Sequence, residues 1–132
     1  MNTLPPKARS VIFGFLWLAV GCRPPEKADV IGLYKRSDEN ITAILSIKPD
    51  NKFELVVHYS EGRSLTIQDS WSLVERVVRF EKFYLTYDFE KNAIIDPPKL
   101  VYMADLSWEG GKLFLNELDQ HPFERQTSTN KP

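Results

Sequence analysis

The chain has 132 residues, a length that suits a single domain. Its 17 Lys and Arg residues are interspersed with 18 Asp and Glu residues, so the net charge is −1 and there is no concentrated basic face for binding nucleic acid. The one cysteine excludes an internal disulfide.

The first 21 residues have the order of an export signal. Lys7 and Arg9 precede an apolar run from Val11 to Val20, and no acidic residue comes before it. A helix that spans about 30 Å of hydrocarbon needs roughly 20 apolar residues, and this run is about half that length. We therefore predict a signal peptide over residues 1–21 rather than a permanent transmembrane anchor.

The run ends in Leu18-Ala19-Val20-Gly21-Cys22, which resembles the lipobox of bacterial lipoproteins, with Ala19 where that family more often has Leu. The resemblance implies that the Cys22 thiol receives diacylglycerol, that residues 1–21 are removed, and that further acylation, for example by palmitate, anchors the protein in a membrane. From the residues alone, an ordinary small-residue cleavage site that releases a protein with a free thiol remains the alternative.

Three further segments follow the predicted signal peptide. Residues 22–29 are polar and contain two prolines, which predicts a flexible tether. Residues 30–125 form the predicted β-barrel domain, and residues 126–132 have no apolar side chain, which predicts a disordered tail. Removal of residues 1–21 leaves 15 basic and 18 acidic residues, a net charge of −3.

Apolar residues beyond Val30 recur mostly at every second position, which is the pattern of strands with one buried face. Residues 41–47 and 53–59 flank the turn residues 48–52 and predict a hairpin. Residues 61–63 predict the next turn, followed by a fourth strand at residues 65–67 and a fifth at residues 71–73. Residues 99–108 and 112–117 flank Glu109-Gly110-Gly111, which predicts a late hairpin.

About eight short strands without helical periodicity predict an all-β fold, a small antiparallel up-and-down barrel or a sandwich, after the N-terminal signal peptide. The predicted interior consists of large apolar side chains at alternating positions. They are Tyr34, Leu45, Ile47, Phe53, Leu55, Val57, Leu65, Ile67, Trp71, Leu73, Val78, Phe80, Leu113 and Leu115.

The order of these features resembles the small lipocalin-like lipoproteins of bacterial envelopes. The similar motifs are Gly32-Leu33-Tyr34, Asp50-Asn51-Lys52-Phe53, Ser70-Trp71, and Trp108-Glu109-Gly110-Gly111. The resemblance implies a lipocalin-like barrel, a monomer attached to the cell envelope through lipidated Cys22, and no defined activity. Arg23 after the cysteine, where lipoproteins retained in the inner membrane often have Asp, favours the periplasmic face of the outer membrane in a Gram-negative host.

The sequence lacks the patterns of known catalytic and metal sites. It has no nucleophile elbow, Walker loop or dinucleotide fingerprint, and its two histidines, His58 and His121, are isolated in sequence. Acid pairs such as Asp38-Glu39 fall in turns, where we expect solvated carboxylates. We therefore predict no catalytic residue, no metal, no cofactor and no enzymatic activity.

Residues 84–98 break the even strand spacing with Tyr84, Tyr87 and Phe89. Loops of this length are usually functional, and exposed aromatic residues are typical of docking surfaces, so these three residues are candidate contacts to an envelope protein or ligand. An extra strand, or a flap over one end of the barrel, is the alternative.

Two functions follow from these predictions. The first is a non-catalytic interaction module held at a membrane surface. The second is a carrier or sensor of a small apolar or lipid-like ligand, which the lipocalin-like order of strands implies. Large inward side chains such as Phe53 and Trp71 favour a filled interior over a ligand cavity.

Overall fold

The computed structural model describes residues 23–127. The predicted signal peptide, Cys22 and residues 128–132 of the predicted tail lie outside the described residues. The described chain contains one helical turn and eight strands. They are α1 (Lys27–Val30), β1 (Gly32–Ser37), β2 (Ile41–Ile47), β3 (Lys52–Tyr59), β4 (Ser64–Val74), β5 (Val77–Asp88), β6 (Ala93–Glu109), β7 (Lys112–Phe114) and β8 (Phe123–Arg125).

Each strand pairs antiparallel with the next, and β8 pairs with β1 to close the sheet into a barrel. The predicted all-β up-and-down barrel is therefore confirmed. Closure gives every strand a paired neighbour on both sides, although β4 and β5 pair only over Trp71–Val74 and Val77–Phe80, and it thereby reduces the edge available for aggregation.

The predicted hairpins are confirmed, but the strand bounds differ in four places, one of which is β7, which ends at Phe114 rather than at residue 117. Residues 64–74 form one long strand, β4, where we predicted two, because the polar residues between Ile67 and Trp71 stay in the ladder. Residues 84–88 and 93–98 belong to β5 and β6, and residues 89–92 form the turn between them, so the segment extends these two strands instead of forming a long loop. The short β8 has no sequence signal of its own, since its three residues include a single apolar one, Phe123, and no alternation can be read from it.

Two turns have the backbone that their residues predict. Asn51, which ends the β2–β3 turn, has φ of 65°, a conformation that Asn tolerates better than most residues. Gly110 and Gly111 have φ of 58° and 88° between β6 and β7, where a side chain would strain the two-residue turn.

Alternation along β2 and β3 produces the core. Every second residue of each strand is buried, and Leu45 lies directly opposite Leu55 in the ladder. Aromatic rings fill the centre of the barrel: the Phe53 and Phe80 ring centroids are 4.8 Å apart, and those of Phe80 and Phe83 are 5.1 Å apart. Edge-to-face and tilted contacts of this kind add to the stability gained from burial.

Ten of the predicted interior residues are buried, whereas Leu65, Ile67, Leu73 and Leu115 are half-buried. Leu65, Leu73 and Leu115 lie beside turns at the rims, where the core is thinner. Unpredicted residues complete the core. They are Val30, Ile41, Ala43, Tyr59, Phe83, Ala104, Leu106 and Phe123.

One end of the barrel, here called the closed end, is formed by α1 and the β2–β3, β4–β5 and β6–β7 turns. Val30 of α1 is fully buried there. The Tyr34 hydroxyl donates a hydrogen bond to the Val30 carbonyl (2.5 Å) and accepts hydrogen bonds from Arg125 (2.9 Å) and Trp108 (3.1 Å). Arg125 also donates to the carbonyl oxygens of Asp29 and Ile31.

The helical turn includes Lys27–Asp29, which belong to the predicted tether. The Lys27 ammonium donates a hydrogen bond to the Asn51 side chain (2.7 Å), so this part of the segment is attached to the barrel. Within residues 23–127, no helix combines the length and the apolar character needed to cross a membrane.

Candidate functional site

The opposite end of the barrel, here called the open end, is formed by the β1–β2, β3–β4, β5–β6 and β7–β8 connections. The β5–β6 hairpin is the longest of the elements that form the open end. Its ladder register shifts between Leu85 and Tyr87, where residues 95–98 are inserted in β6. The inserted residues form a bulge in which Asp96 and Pro97 are exposed and Pro98 is buried, and the ladder resumes at Tyr87 and Ile94. This shift sets where the tip of the hairpin, residues 87–94, lies over the open end.

Two of the three predicted contact residues lie together on this tip. The rings of Tyr87 and Phe89 meet edge to face, with centroids 5.0 Å apart, and both side chains are half-buried. The Tyr87 hydroxyl donates a hydrogen bond to the Asn92 side chain across the turn. The tip therefore presents a fixed aromatic pair rather than a loose loop.

Tyr84 lies apart from this pair. It pairs with Leu100 in the β5–β6 ladder and packs against the core as a partly buried residue. It does not line the cleft described next.

A cleft of about 460 Å³ opens between the hairpin tip and the β7–β8 loop. Tyr87 and Phe89 line one side of it, and Glu117, Leu118 and Gln120 line the other. A second hollow of about 670 Å³ shares Tyr87 with the first and reaches Glu39 of the β1–β2 turn. Together they form one groove across the open end, which we call the open-end cleft.

A buried ion pair network forms the base of the open-end cleft. The Arg36 side chain is 5% exposed and lies 3.3 Å from the Asp38 carboxylate and 3.8 Å from the Asp119 carboxylate. Its guanidinium also lies 5.9 Å from the Tyr87 ring centroid. The expectation of a solvated Asp38 is therefore wrong, because the neighbouring turn folds this carboxylate against Arg36.

Asp119 contacts the backbone of the β7–β8 loop in addition to the Arg36 side chain. Its carboxylate accepts hydrogen bonds from the backbone N–H groups of Leu115 (3.0 Å) and His121 (3.1 Å). Charge-assisted hydrogen bonds to backbone groups are stronger than neutral ones. One buried carboxylate thus fixes both the shape of the loop and the position of the arginine below the cleft.

A second arginine attaches the β3–β4 turn to the bulge of β6. The Arg63 guanidinium lies 2.9 Å from Asp96 and 3.1 Å from Glu61, and it stacks 3.9 Å from the Tyr59 ring centroid. Burial, and next the Asp96 carboxylate, raise the pKa of Tyr59 above its ordinary value of 10.0. Tyr59 is therefore neutral at physiological pH and serves as a surface on which Arg63 stacks.

The barrel interior offers little space. The opening between Phe83, Leu106, Leu115 and Phe123 measures about 10 Å³, the volume of roughly one water probe. Among residues 23–127, no group of three or more histidine, cysteine or acidic side chains has the arrangement of a metal site.

Sequence reasoning missed Arg36, Asn92 and Glu117 as members of the open-end cleft. Arg36 carries a usable signal, because counting by two from the inward Tyr34 places it on the interior face of β1. Asn92 and Glu117 lie in turns, and only the closure of the barrel brings them near Tyr87. His121, which is isolated from the other histidine in the sequence, also lines the cleft.

Comparisons with protein-family models, curated protein sequences and solved structures gave no match to this chain.

Proposed function

We propose that this chain is a lipid-anchored, non-catalytic protein of the bacterial cell envelope that docks a partner protein in the open-end cleft. The observation that carries the proposal is the fixed aromatic pair of Tyr87 and Phe89 beside a cleft of about 460 Å³. Aromatic residues in a preformed concavity are typical of docking sites, because they bury large areas at a low cost in side-chain entropy.

The position of the predicted anchor supports the same proposal. Arg23, which follows Cys22 in the sequence, precedes α1 at the closed end of the barrel. The open-end cleft lies at the far end of strands of seven and eight residues, roughly 20 Å away along the tilted strands. A chain anchored through Cys22 would hold the cleft away from the bilayer, on the periplasmic face of the outer membrane in a Gram-negative host.

The alternative function, transport or sensing of an apolar ligand inside the barrel, gains no support from an interior space of about 10 Å³. Drug-sized ligands occupy pockets of roughly 300 Å³ or more. The phenylalanine rings at the centre of the barrel would have to move apart before such a ligand could enter.

The anchor is tested by the substitution Cys22→Ala. We expect the wild-type chain to sediment with membranes and the variant to stay in the soluble fraction after envelope lysis, because it lacks the acylated thiol. Mass spectrometry of the wild-type N-terminus should find acyl chains on residue 22. Identical fractionation of the two proteins would contradict the lipid anchor.

The docking site is tested by photo-cross-linking in cells. A photo-reactive phenylalanine derivative in place of Phe89 should give an adduct of one reproducible size. The matched control places the same derivative at Tyr102, which is 71% exposed on the outer wall of β6. Equal adducts from both positions, or none from position 89, would contradict docking in the open-end cleft.

A further inference from the structure

The two ends of the barrel differ in charge. The segments at the open end, residues 36–40, 59–63, 87–96 and 115–122, contain eight acidic and three basic residues. The segments at the closed end, residues 23–31, 48–52, 74–77, 109–112 and 124–126, contain six acidic and seven basic residues. The slight negative charge of the domain is therefore concentrated around the open-end cleft.

Two of the three basic groups at the open end, Arg36 and Arg63, are already engaged, and the third is the exposed Lys91 at the hairpin tip. Arg36 lies against Asp38 and Asp119, and Arg63 lies against Glu61 and Asp96, so each arginine faces two carboxylates. Each cluster of one arginine and two carboxylates therefore has a net charge of −1. The field over the cleft is consequently negative even where ion pairs form.

Two acidic side chains in the cleft have no such partner among the described residues. Glu117 lines the first hollow and Glu39 lines the second, and both are exposed. Tyr87 lies in the lining that the two hollows share. The cleft thus combines an aromatic centre with a free carboxylate on either side.

We infer that the partner presents a basic peptide segment with apolar or aromatic side chains, and that this segment lies in the open-end cleft. The inference rests on the proposed function and names the chemistry of the partner. Lysine or arginine groups of the segment pair with Glu39 and Glu117, and an arginine or an apolar side chain packs on the rings of Tyr87 and Phe89.

The same charge distribution favours a protein segment over a lipid surface. Anionic headgroups attract basic surfaces and repel acidic ones within about 10 Å at physiological salt. The open end is the acidic end, whereas the closed end is nearly neutral. Electrostatics therefore keeps the open-end cleft directed away from an anionic bilayer and toward a cationic partner.

The test uses the full chain, purified in a non-ionic detergent, and three synthetic peptides of about 12 residues. Each peptide alternates Leu or Trp with one polar residue, which is Lys in the first, Gln in the second and Glu in the third. Fluorescence anisotropy measures the Kd of each peptide. We expect the Lys peptide to bind about tenfold more tightly than the Gln peptide and the Glu peptide to bind most weakly.

The double substitution Glu39→Gln and Glu117→Gln should weaken binding of the Lys peptide to about the level of the Gln peptide. The matched control, Glu109→Gln with Glu124→Gln, removes the same charge from exposed positions at the closed end and should leave the Kd within about twofold. Raising the salt from about 50 mM to about 500 mM should reduce the difference between the two double variants.

Equal binding of the Lys and Gln peptides would overturn the inference, and so would equal weakening by the two double substitutions. Its failure is distinguishable from failure of the proposed function. If the photo-adduct at position 89 forms in cells with the same yield in the Glu39→Gln, Glu117→Gln variant, the cleft still docks a partner but not through these charges. If no adduct forms in the wild-type chain, docking itself fails.

Discussion

Arginine and tyrosine side chains make different contacts at the two ends of this barrel. At the closed end, Arg125 and the Tyr34 hydroxyl donate hydrogen bonds to the Asp29 and Val30 carbonyl oxygens of α1, so these polar groups attach α1 to the barrel. At the open end, Arg36 is held by buried carboxylates beneath a cleft whose upper side chains remain accessible. The polar groups of the closed end thus hold the domain together, whereas the open end also has the accessible cleft that we propose as the docking site.

The largest effect is expected from Asp119→Ala at the open end. This substitution removes two hydrogen bonds to the β7–β8 loop and leaves buried Arg36 with one carboxylate fewer. We expect the free energy of unfolding to fall by about 3 kcal/mol, measured by urea denaturation. Glu117→Ala, two residues away and exposed, should change it by less than about 0.5 kcal/mol.

Asp119→Ala should also reduce the yield of the photo-adduct at position 89 under conditions where the variant is folded. The β7–β8 loop, which lines the side of the cleft opposite Phe89, loses its hydrogen bonds to Asp119 in this variant. A folded variant that keeps both its stability and its adduct would show that the network below the cleft does not shape it.

A smaller effect is expected from Arg125→Met at the closed end. The substitution keeps the apolar stem and removes hydrogen bonds to the Ile31 carbonyl and the Tyr34 hydroxyl. We expect a loss of about 2 kcal/mol in the free energy of unfolding, since α1 is then held mainly by Val30 and Lys27. Arg76→Met, at an exposed turn of the same end, is the control.

The adduct at position 89 should survive in Arg125→Met, in contrast to Asp119→Ala. Loss of the adduct in the folded Arg125→Met variant would mean that the two ends are coupled and that the comparison between them is too simple.

The smallest effect on stability is expected from Asp105→Asn, in the barrel wall between the two ends. Arg79 lies 2.7 Å and 2.9 Å from the two carboxylate oxygens of Asp105, and this hydrogen-bonded pair lowers the pKa of Asp105 below 3.8. Because the folded-state pKa is lowered, the pair stabilises the fold above pH 3.8, and this contribution is lost as the pH falls through the lowered pKa.

Asp105→Asn should therefore lower the urea midpoint slightly at pH 7, and the difference from wild type should vanish at more acidic pH. Exposed pairs contribute little because water and salt screen them. Thr66→Ala, at an exposed position of the barrel wall without a titratable group, should show no difference from wild type that changes with pH. A difference for Asp105→Asn that grows as the pH falls would contradict the ion pair.

Much of the fold follows from local sequence. The alternation in residues 41–47 and 53–59 predicts β2 and β3 because a strand exposes successive side chains to opposite faces. The prediction of two strands where β4 is continuous was wrong, since a polar residue in a strand is compatible with an outward position in a barrel wall. The missed β8 is a three-residue strand that pairs with β1 from across the chain.

The candidate site was only partly predictable. Tyr87 and Phe89 stand out in the sequence because they break the strand spacing, and they form one side of the cleft. Tyr84 belongs to the same segment but lies in the β5–β6 ladder instead. The register shift before Tyr87 decides this difference; Pro97 and Pro98, which lack a backbone N–H, mark the place where the ladder is interrupted, but they do not give the size of the shift.

The sequence by itself determined the strands through their alternation and the turns through Asn and Gly at positive φ, and it is the sole basis for the predicted export leader and lipidated Cys22. The tertiary structure decided how those elements meet. Barrel closure buries Arg36 between Asp38 and Asp119 and brings Glu117 and Glu39 to either side of Tyr87. Periodicity is a property of neighbouring residues, whereas a cleft depends on contacts between segments about 80 residues apart, and those contacts form only when the sheet closes.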